Sequence, residues 1–139
     1  MQAVNELGER EASLAIETIR AEVQRRGKTA VIAVSDSHGE AIALLRMDGA
    51  PFSSVDVALH KVLTASRERK ETGELGKMFL SQGWQLANSD PRFTGWDGGV
   101  PVRYKGKIVG AVAVSGLDQA EDAELARLAV AAILKSAES

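Results

Sequence analysis

The sequence predicts an α+β domain in which helices pack against an antiparallel sheet. Near both ends of the chain, apolar residues recur every three to four positions, which is the pattern of amphipathic helices. Between these ends lie short runs rich in β-branched residues, joined in pairs by turns that contain glycine. Such hairpins pair neighbouring strands in opposite directions and favour an antiparallel sheet covered by helices. The 139 residues contain no linker or repeat, so we expect one domain over residues 1–139.

The first half of the chain is predicted to contain a helix, a hairpin and a second helix. The first helix is expected over residues 3–26, and two strands over 29–35 and 40–47. Both strands are apolar at nearly every position, so we expect both of their faces to be covered. The second helix continues to about residue 71, with its apolar stripe centred on Leu59 and Val62. Thr72 is predicted to cap a further short helix.

The second half opens with a segment without any clear period. Residues 83–99 hold Trp84, Phe93 and Trp96 among several glycines, and an irregular loop of this length in a compact domain is often functional. Two more strands are expected at 100–104 and 107–115, followed by a last helix that begins near residue 118. The acids at its start, Glu121 and Asp122 among them, are interpreted as first-turn residues of a helix and not as metal ligands.

Composition excludes several classes of protein. The chain has no cysteine, which rules out disulfides, a thiolate nucleophile and cysteine-ligated metals. Seventeen basic and nineteen acidic side chains leave a net charge of −2, without the positive excess typical of nucleic-acid binding. No apolar run approaches the ~20 residues of a membrane helix, and residues 1–10 lack a signal-peptide pattern. We therefore expect a cytoplasmic protein with neither nucleic acid nor a membrane as its partner.

Few residues point to catalysis by pattern alone. Phosphate-binding, metalloprotease and nucleophile-elbow motifs are missing from the sequence. The two histidines are His38, in the predicted turn, and His60, on the flank of the second helix. His60 is either a partly exposed surface residue or a neutral imidazole that binds a metal or a haem iron.

Three further positions carry two interpretations each. Lys61 is either a solvated surface lysine or a point charge that binds a carboxylate. Arg46 ends an apolar strand, where its charge either reaches water or meets an anion. Gly98 and Gly99 either form an ordinary turn or let the backbone approach a ligand beside the aromatic rings.

Several motifs, in the correct order, resemble the GlcG/HbpS-like family of haem-binding or haem-degrading proteins. The first are VSDSHG at residues 34–39 and RMDGA at 46–50. A helix motif, SVDVALHKVLTA, follows at 54–65, and the hairpin motifs GGVPV and VGAVAVSG stand at 98–102 and 109–116. The resemblance covers about residues 10–134 and includes a related domain at the carboxyl end of PduO-type corrinoid adenosyltransferases.

The resemblance implies a profilin-like sandwich with a central antiparallel sheet of about five strands. It also implies a homo-oligomer (dimer, tetramer or octamer) and a haem or related tetrapyrrole as cofactor. In the hypothesis of a tetrapyrrole-binding module, the cofactor lies in a cleft between the 46–50 turn, the 60–64 stretch of the second helix and the 84–101 loop, and His60 is the candidate metal ligand; the resemblance itself does not supply an axial residue. The candidate binding residues are Arg46, Met47, His60, Lys61, Thr64, Phe93, Trp96, Gly98, Gly99 and Pro101.

Three functions remain open at this point. The first is the tetrapyrrole-binding module, which only the resemblance favours over the others. The second is an enzyme that acts on a small carboxylic or cyclic metabolite, although the sequence offers few general acids or bases. The third is an oligomeric companion protein without a ligand, whose helices rich in alanine and valine pack across subunits.

Overall fold

The computed structural model describes residues 5–83, 85 and 88–138, and in this part of the chain the sheet has four strands. They are β1 (Val31–Ser35), β2 (Ala41–Arg46), β3 (Gly99–Tyr104) and β4 (Lys107–Ser115). The strand order is β2-β1-β4-β3 and each neighbouring pair is antiparallel. The α+β class is confirmed, but the expected count of about five strands was wrong. The described residues between 85 and 98 form no strand, because Pro91 and the glycines interrupt any strand pattern there.

Four helices cover the sheet unequally. They are α1 (Glu9–Arg25), α2 (Ser53–Glu68), α3 (Thr72–Gln82) and α4 (Gln119–Ala137). The helices α1 and α4 pack on one face of the sheet and α2 on the other, while α3 extends from the end of α2 towards β3. Among the described helices, none is long and apolar enough to cross a membrane.

The two faces of the sheet differ in side-chain size. In β4, Val112 and Val114 belong to the core under α1 and α4, whereas Ala111 and Ala113 belong to the core under α2. This alternation follows from the period of two in a strand. The small side chains let α2 lie close to the sheet, and this closeness brings α2 within reach of the backbone of β4.

Strand β1 and strand β2 differ in burial. All five residues of β1 are buried, as expected, because it pairs on both sides and is covered on both faces. The same expectation for β2 was wrong, since its residues are exposed or half-buried. The reason is that β2 is an edge strand, and α2 lies mainly over β4, β3 and β1.

The helix boundaries shift in ways that matter for the site. The second helix ends at Glu68, not near residue 71, because Arg69 adopts the left-handed conformation with φ 58°. A helix does begin at Thr72, but Thr72 does not cap it, since Glu71 occupies the N-cap position. The Thr72 hydroxyl instead accepts a hydrogen bond from the Gly99 N–H at 2.9 Å, which ties α3 to the start of β3.

Candidate functional site

A buried ion pair lies where α2, the end of β4 and the start of α4 meet. Lys61 is 1% exposed and Asp122 is 2% exposed. Lys61 Nζ donates to the Val114 carbonyl at 2.8 Å and to Asp122 Oδ2 at 3.2 Å, while Asp122 Oδ1 accepts from the Leu117 N–H at 3.1 Å. Lys61 is therefore not the solvated lysine of the first interpretation. It does bind a carboxylate, but that carboxylate belongs to its own chain.

Burial shifts the pKa of both partners. Desolvation raises the pKa of Asp122 to about 6, although Lys61 and the Leu117 N–H act to lower it. Desolvation also lowers the pKa of Lys61, against the attraction of Asp122 and Asp97. Both shifts have one cause, since each ionised group has lost its water, and the mutual attraction only partly offsets that loss.

The glycine pair at the entry to β3 packs directly against this ion pair. Gly98 has φ 126°, and a Cβ at this position would lie 2.7 Å from Lys61 Nζ and 2.6 Å from the Val114 carbonyl oxygen. A Cβ on Gly99 would lie 2.7 Å from the Lys61 carbonyl oxygen. These glycines were predicted to let the backbone approach a ligand closely. In this structure the backbone at Gly98 and Gly99 instead approaches Lys61 and Val114. Pro101, two residues on, is half-buried within β3.

Side-chain oxygens fix the loop that precedes β3. The Thr94 N–H donates to Thr64 Oγ1 at 3.0 Å, and the Trp96 N–H donates to Thr94 Oγ1 at 3.2 Å. The Asp97 N–H donates to Gln119 Oε1 at 2.9 Å, and the Gly98 N–H to the Asp97 carboxylate at 3.0 Å. With the Gly99 bond to Thr72, five backbone N–H groups of residues 94–99 end on side-chain acceptors. We call residues 94–99 the anchored loop.

His60 lies on the side of α2 that faces this loop. Thr64 is buried and one helical turn after His60, and its hydroxyl also donates to the His60 carbonyl at 2.7 Å. Residues four apart lie on the same face of a helix. Because Thr64 binds the Thr94 N–H, the face of α2 that carries both Thr64 and His60 is the one towards the loop. His60 is half-buried, and its imidazole makes no hydrogen bond within the described residues. Phe93, directly before the anchored loop, is half-buried too.

A half-open hollow of about 750 Å³ lies beside the contact between the anchored loop and α3, and both segments line it. Trp96 stands at this hollow, which we call the Trp96 hollow, and the indole is 59% exposed. Gly76 of α3 touches the loop so closely that a Cβ there would lie 2.3 Å from the Gly95 carbonyl oxygen. The hollow is lined by Gly73, Gly76, Lys77, Phe79, Leu80, Gln85, Gly95, Trp96, Asp97, Gln119 and Ala120.

The structure brings together two of the three segments of the predicted cleft. The 60–64 stretch of α2 meets the loop, but Arg46 and Met47 line a different hollow of about 360 Å³ beside α1. Arg46 is exposed and its guanidinium stands over the Phe52 ring, 4.5 Å from the centroid. Met47 packs against the core under α1 and α4. Trp84, also expected in the cleft, lies outside the described residues.

Sequence reasoning missed Thr72 and Asp122 and misjudged the stripe of α2. Asp122 is in the first turn of α4, as predicted, yet it stands three and four residues before the buried Leu125 and Ala126. Lys61 likewise falls three residues after Ala58 and four before Ala65, whereas Leu59 is only half-buried. A lysine and an aspartate that each fall within the apolar stripe of a helix are the sequence pattern that indicates a buried ion pair. No group of three metal-binding side chains occurs in the described part of the chain.

Comparison with known proteins identifies relatives over most of the chain. Residues 7–131 match the family described as "Haem degrading protein HbpS-like". Protein GlcG of Escherichia coli (strain K12) is 36% identical over 109 residues, which are 78% of this chain and 81% of GlcG.

Two solved structures share the fold. A double mutant of HbpS from Streptomyces reticuli superposes with a TM-score of 0.86 at 28% identity, over 95% of this chain and 90% of that one. A PduOC:Heme complex superposes with a TM-score of 0.83 at 23% identity, over 91% and 94% of the two chains. The family match, the GlcG identity and the shared fold agree with the motif order described above, and the chain therefore belongs to the GlcG/HbpS-like family.

Proposed function

We propose that this protein binds a flat tetrapyrrole, with haem as the first candidate, between the Trp96 hollow and the His60 face of α2. The family is described as haem-degrading, and a neighbour of the same fold was crystallised as a haem complex. The observation in this chain that carries the proposal is the exposed Trp96 indole, which the anchored loop holds beside a half-open hollow. An exposed aromatic ring at a concave surface is a typical stacking surface for a flat ligand.

The residues of this region fit such a cofactor. Trp96 and Phe93 would provide aromatic surfaces, and Lys77, which lines the hollow, would provide a cation for a propionate. The His60 imidazole, free of internal hydrogen bonds, would be the iron ligand. Thr64 would act indirectly, because its hydroxyl holds the loop at Thr94. Gly98 and Gly99 belong to the loop and would act by letting it pack against the buried Lys61. Haem, when bound, would supply an iron for ligand-binding or redox chemistry and a strong Soret absorption.

A haemin titration followed by absorbance tests this proposal. We expect a saturable Soret band with one haemin per chain. His60→Ala is expected to shift the band and weaken binding about tenfold or more, because an axial ligand is lost. Trp96→Ala is expected to weaken binding about tenfold through lost stacking, without a comparable band shift.

The chain supplies its own matched control. His38 is the second of the two histidines and lies in the β1–β2 turn, so His38→Ala is expected to titrate like the unmodified protein. Iron ligation by His60 would be disproved if the two histidine variants gave the same spectrum and affinity. A broad band that never saturates would overturn tetrapyrrole binding as a whole.

We further propose that the protein is a homo-oligomer of two, four or eight chains, as is implied for its family. Two exposed apolar side chains support association: Phe52 is 78% exposed and Leu80 is 84% exposed. A second copy that covered them would remove apolar surface from water. In such an assembly, Arg46 and Met47 of one chain would contribute to a cofactor site if they lay beside the Trp96 hollow of a neighbouring chain.

A further inference from the structure

Three segments of the chain border an open basic hollow at one end of the sheet. The carboxyl end of α2, the β1–β2 turn and the β3–β4 turn all lie there and surround a volume of about 580 Å³. We call it the arginine hollow. It is lined by Ser37, His38, Ser66, Arg67, Arg69, Arg103, Gly106, Lys107 and Ile108. No acidic residue is among these lining residues.

Hydrogen bonds from arginine side chains hold the three segments together. Arg67 Nε donates to the His38 carbonyl at 2.8 Å, which ties α2 to the β1–β2 turn. Arg103 Nη2 donates to the Arg69 carbonyl at 3.3 Å, which ties β3 to the residue that ends α2. Arg103 also stands at a register shift between β3 and β4, and such a bulge redirects side chains. These contacts fix the side chains of Arg67 and Arg103 at the hollow that Arg69 also lines.

Two of these guanidinium groups lack a carboxylate partner. Arg67 shares its charge with Glu40 at 3.5 Å and with Asp90 at 3.8 Å. Neither Arg69 nor Arg103 forms an ion pair with any acid in the described part of the chain. Among the other arginines, Arg26 pairs with Glu22 and Glu121 and Arg127 with Glu71, whereas Arg10 and Arg46 also form no ion pair within the described residues.

Compensation of the helix dipole does not account for the whole cluster. Cations near the last turn of a helix stabilise it, and this explains basic residues at the end of α2. Arg103 belongs to β3, however, and has no place in that explanation. Its guanidinium nevertheless binds the backbone carbonyl of Arg69, so the two residues with unpaired guanidinium groups are in contact across a boundary between helix and sheet.

We propose that the arginine hollow binds a small oxyanion of two negative charges, held by Arg69 and Arg103. The planar guanidinium matches the two oxygens of a carboxylate or phosphate, and two adjacent guanidinium groups match a dianion. The ligand is either a phosphate or a dicarboxylate, which share this chemistry. The site is independent of tetrapyrrole binding, because none of its residues lines the Trp96 hollow.

Nuclear magnetic resonance titration of the haem-free protein tests the site. Inorganic phosphate and succinate are the probes, each added at constant ionic strength against sodium chloride. We expect saturable shifts of the Arg69, Gly106 and Lys107 amide signals with at least one probe. The probe that saturates at lower concentration identifies the ligand as a phosphate or a dicarboxylate.

Charge variants separate a site from general electrostatic attraction. The double variant Arg69→Gln/Arg103→Gln is expected to weaken binding at least tenfold, and Arg103→Gln alone by a smaller factor, which serves if the double variant does not fold. Lys105→Gln removes one charge nearby, where the ammonium stands over the Tyr104 ring, and is expected to leave binding unchanged. His60→Ala is also expected to bind the anion normally. The proposal is overturned if neither probe gives saturable shifts, or if Lys105→Gln weakens binding as much as Arg103→Gln.

Discussion

At the scale of single residues, Lys61 and Asp122 couple the stability of the fold to proton binding. Asp122 has a pKa of about 6 in the folded chain, above the value of 3.8 expected when it is solvated. Between about pH 4 and pH 6 the folded state therefore holds a proton that the unfolded state has released. The contribution of Asp122 to stability falls as pH rises through this window, because ionisation leaves a charge in a buried place.

Replacing Lys61 by methionine should expose this coupling. Lys61 lowers the pKa of Asp122, so its loss raises that pKa further and extends the destabilising window above pH 6. We expect Lys61→Met to reduce the free energy of unfolding by about 3–5 kcal/mol at pH 7.5, the usual cost of breaking a buried pair. At pH 5, where Asp122 is mostly protonated, we expect less than half of that loss. Urea unfolding at the two pH values measures both numbers.

A surface lysine provides the control for this measurement. Lys77 is exposed on α3, and Lys77→Met is expected to change the free energy of unfolding by no more than about 0.5 kcal/mol at either pH. An equal loss for Lys61→Met at pH 5 and pH 7.5 would mean that packing of the lysine stem, and not its charge, accounts for the destabilisation.

At the scale of elements, the contact between α3 and the anchored loop depends on glycine. Gly76 and Gly73 are both on the side of α3 that meets the loop. The atom opposite Gly76 is the Gly95 backbone oxygen, whereas the atoms opposite Gly73 belong to the Asp97 side chain, at 2.5 Å from a Cβ. Backbone cannot move aside as a side chain can, so the two positions differ in what they tolerate.

Alanine at these two positions should have unequal effects. Gly76→Ala is expected to lower the free energy of unfolding by about 1–3 kcal/mol, as overpacking does, in spite of a helix-propensity gain of about 1 kcal/mol. Gly73→Ala is expected to lower it less, since Asp97 can rotate. Hydrogen exchange should show faster exchange of the amides in the anchored loop for Gly76→Ala only. Equal effects of the two variants would contradict the packing described between α3 and Gly95.

Several elements could be predicted from sequence because their residues obey local rules. β4 was predicted with its observed ends, since an apolar run between a glycine turn and a helix start leaves little choice. The end of α2 could not be predicted, because a non-glycine residue, Arg69, takes the left-handed conformation there. Of the site, the aromatic loop and Gly98 were found by pattern, but the partners of Gly98 come from α2, β4 and α4. Such contacts between distant segments depend on tertiary packing, which periodicity does not encode.

At the scale of the whole molecule, the exposed apolar side chains raise the question of assembly. Phe52 directly precedes α2, Leu80 lies on α3, and Leu128 on α4 is also exposed. Large apolar side chains on the surface are individually common in monomers. Two further points favour association in this case. The resemblance to the family implies oligomers. In addition, β2 is an edge strand, and its outer backbone groups pair with no strand of the described sheet.

Analytical ultracentrifugation tests the proposed assembly. One chain has a mass of 14.8 kDa, and we expect a species of two, four or eight times that mass at micromolar concentration. Phe52→Ser is expected to shift the distribution towards smaller species, because it removes an exposed aromatic ring from the surface that would be buried. Ser81→Ala, on an exposed residue without an aromatic ring, is the control and should leave the distribution unchanged. A monomer at every concentration would refute the proposal.

The side-chain acceptors of the anchored loop have a consequence for the entropy of binding. Thr64, Gln119 and Thr72 belong to three helices and hold the loop before any ligand arrives. A flexible loop would have to lose conformational freedom on association, and that loss would reduce affinity. Here the freedom has already been lost during folding. The backbone that carries Trp96 is therefore preorganised, and the affinity of the proposed ligand would reflect contact and desolvation with little cost for ordering the loop backbone.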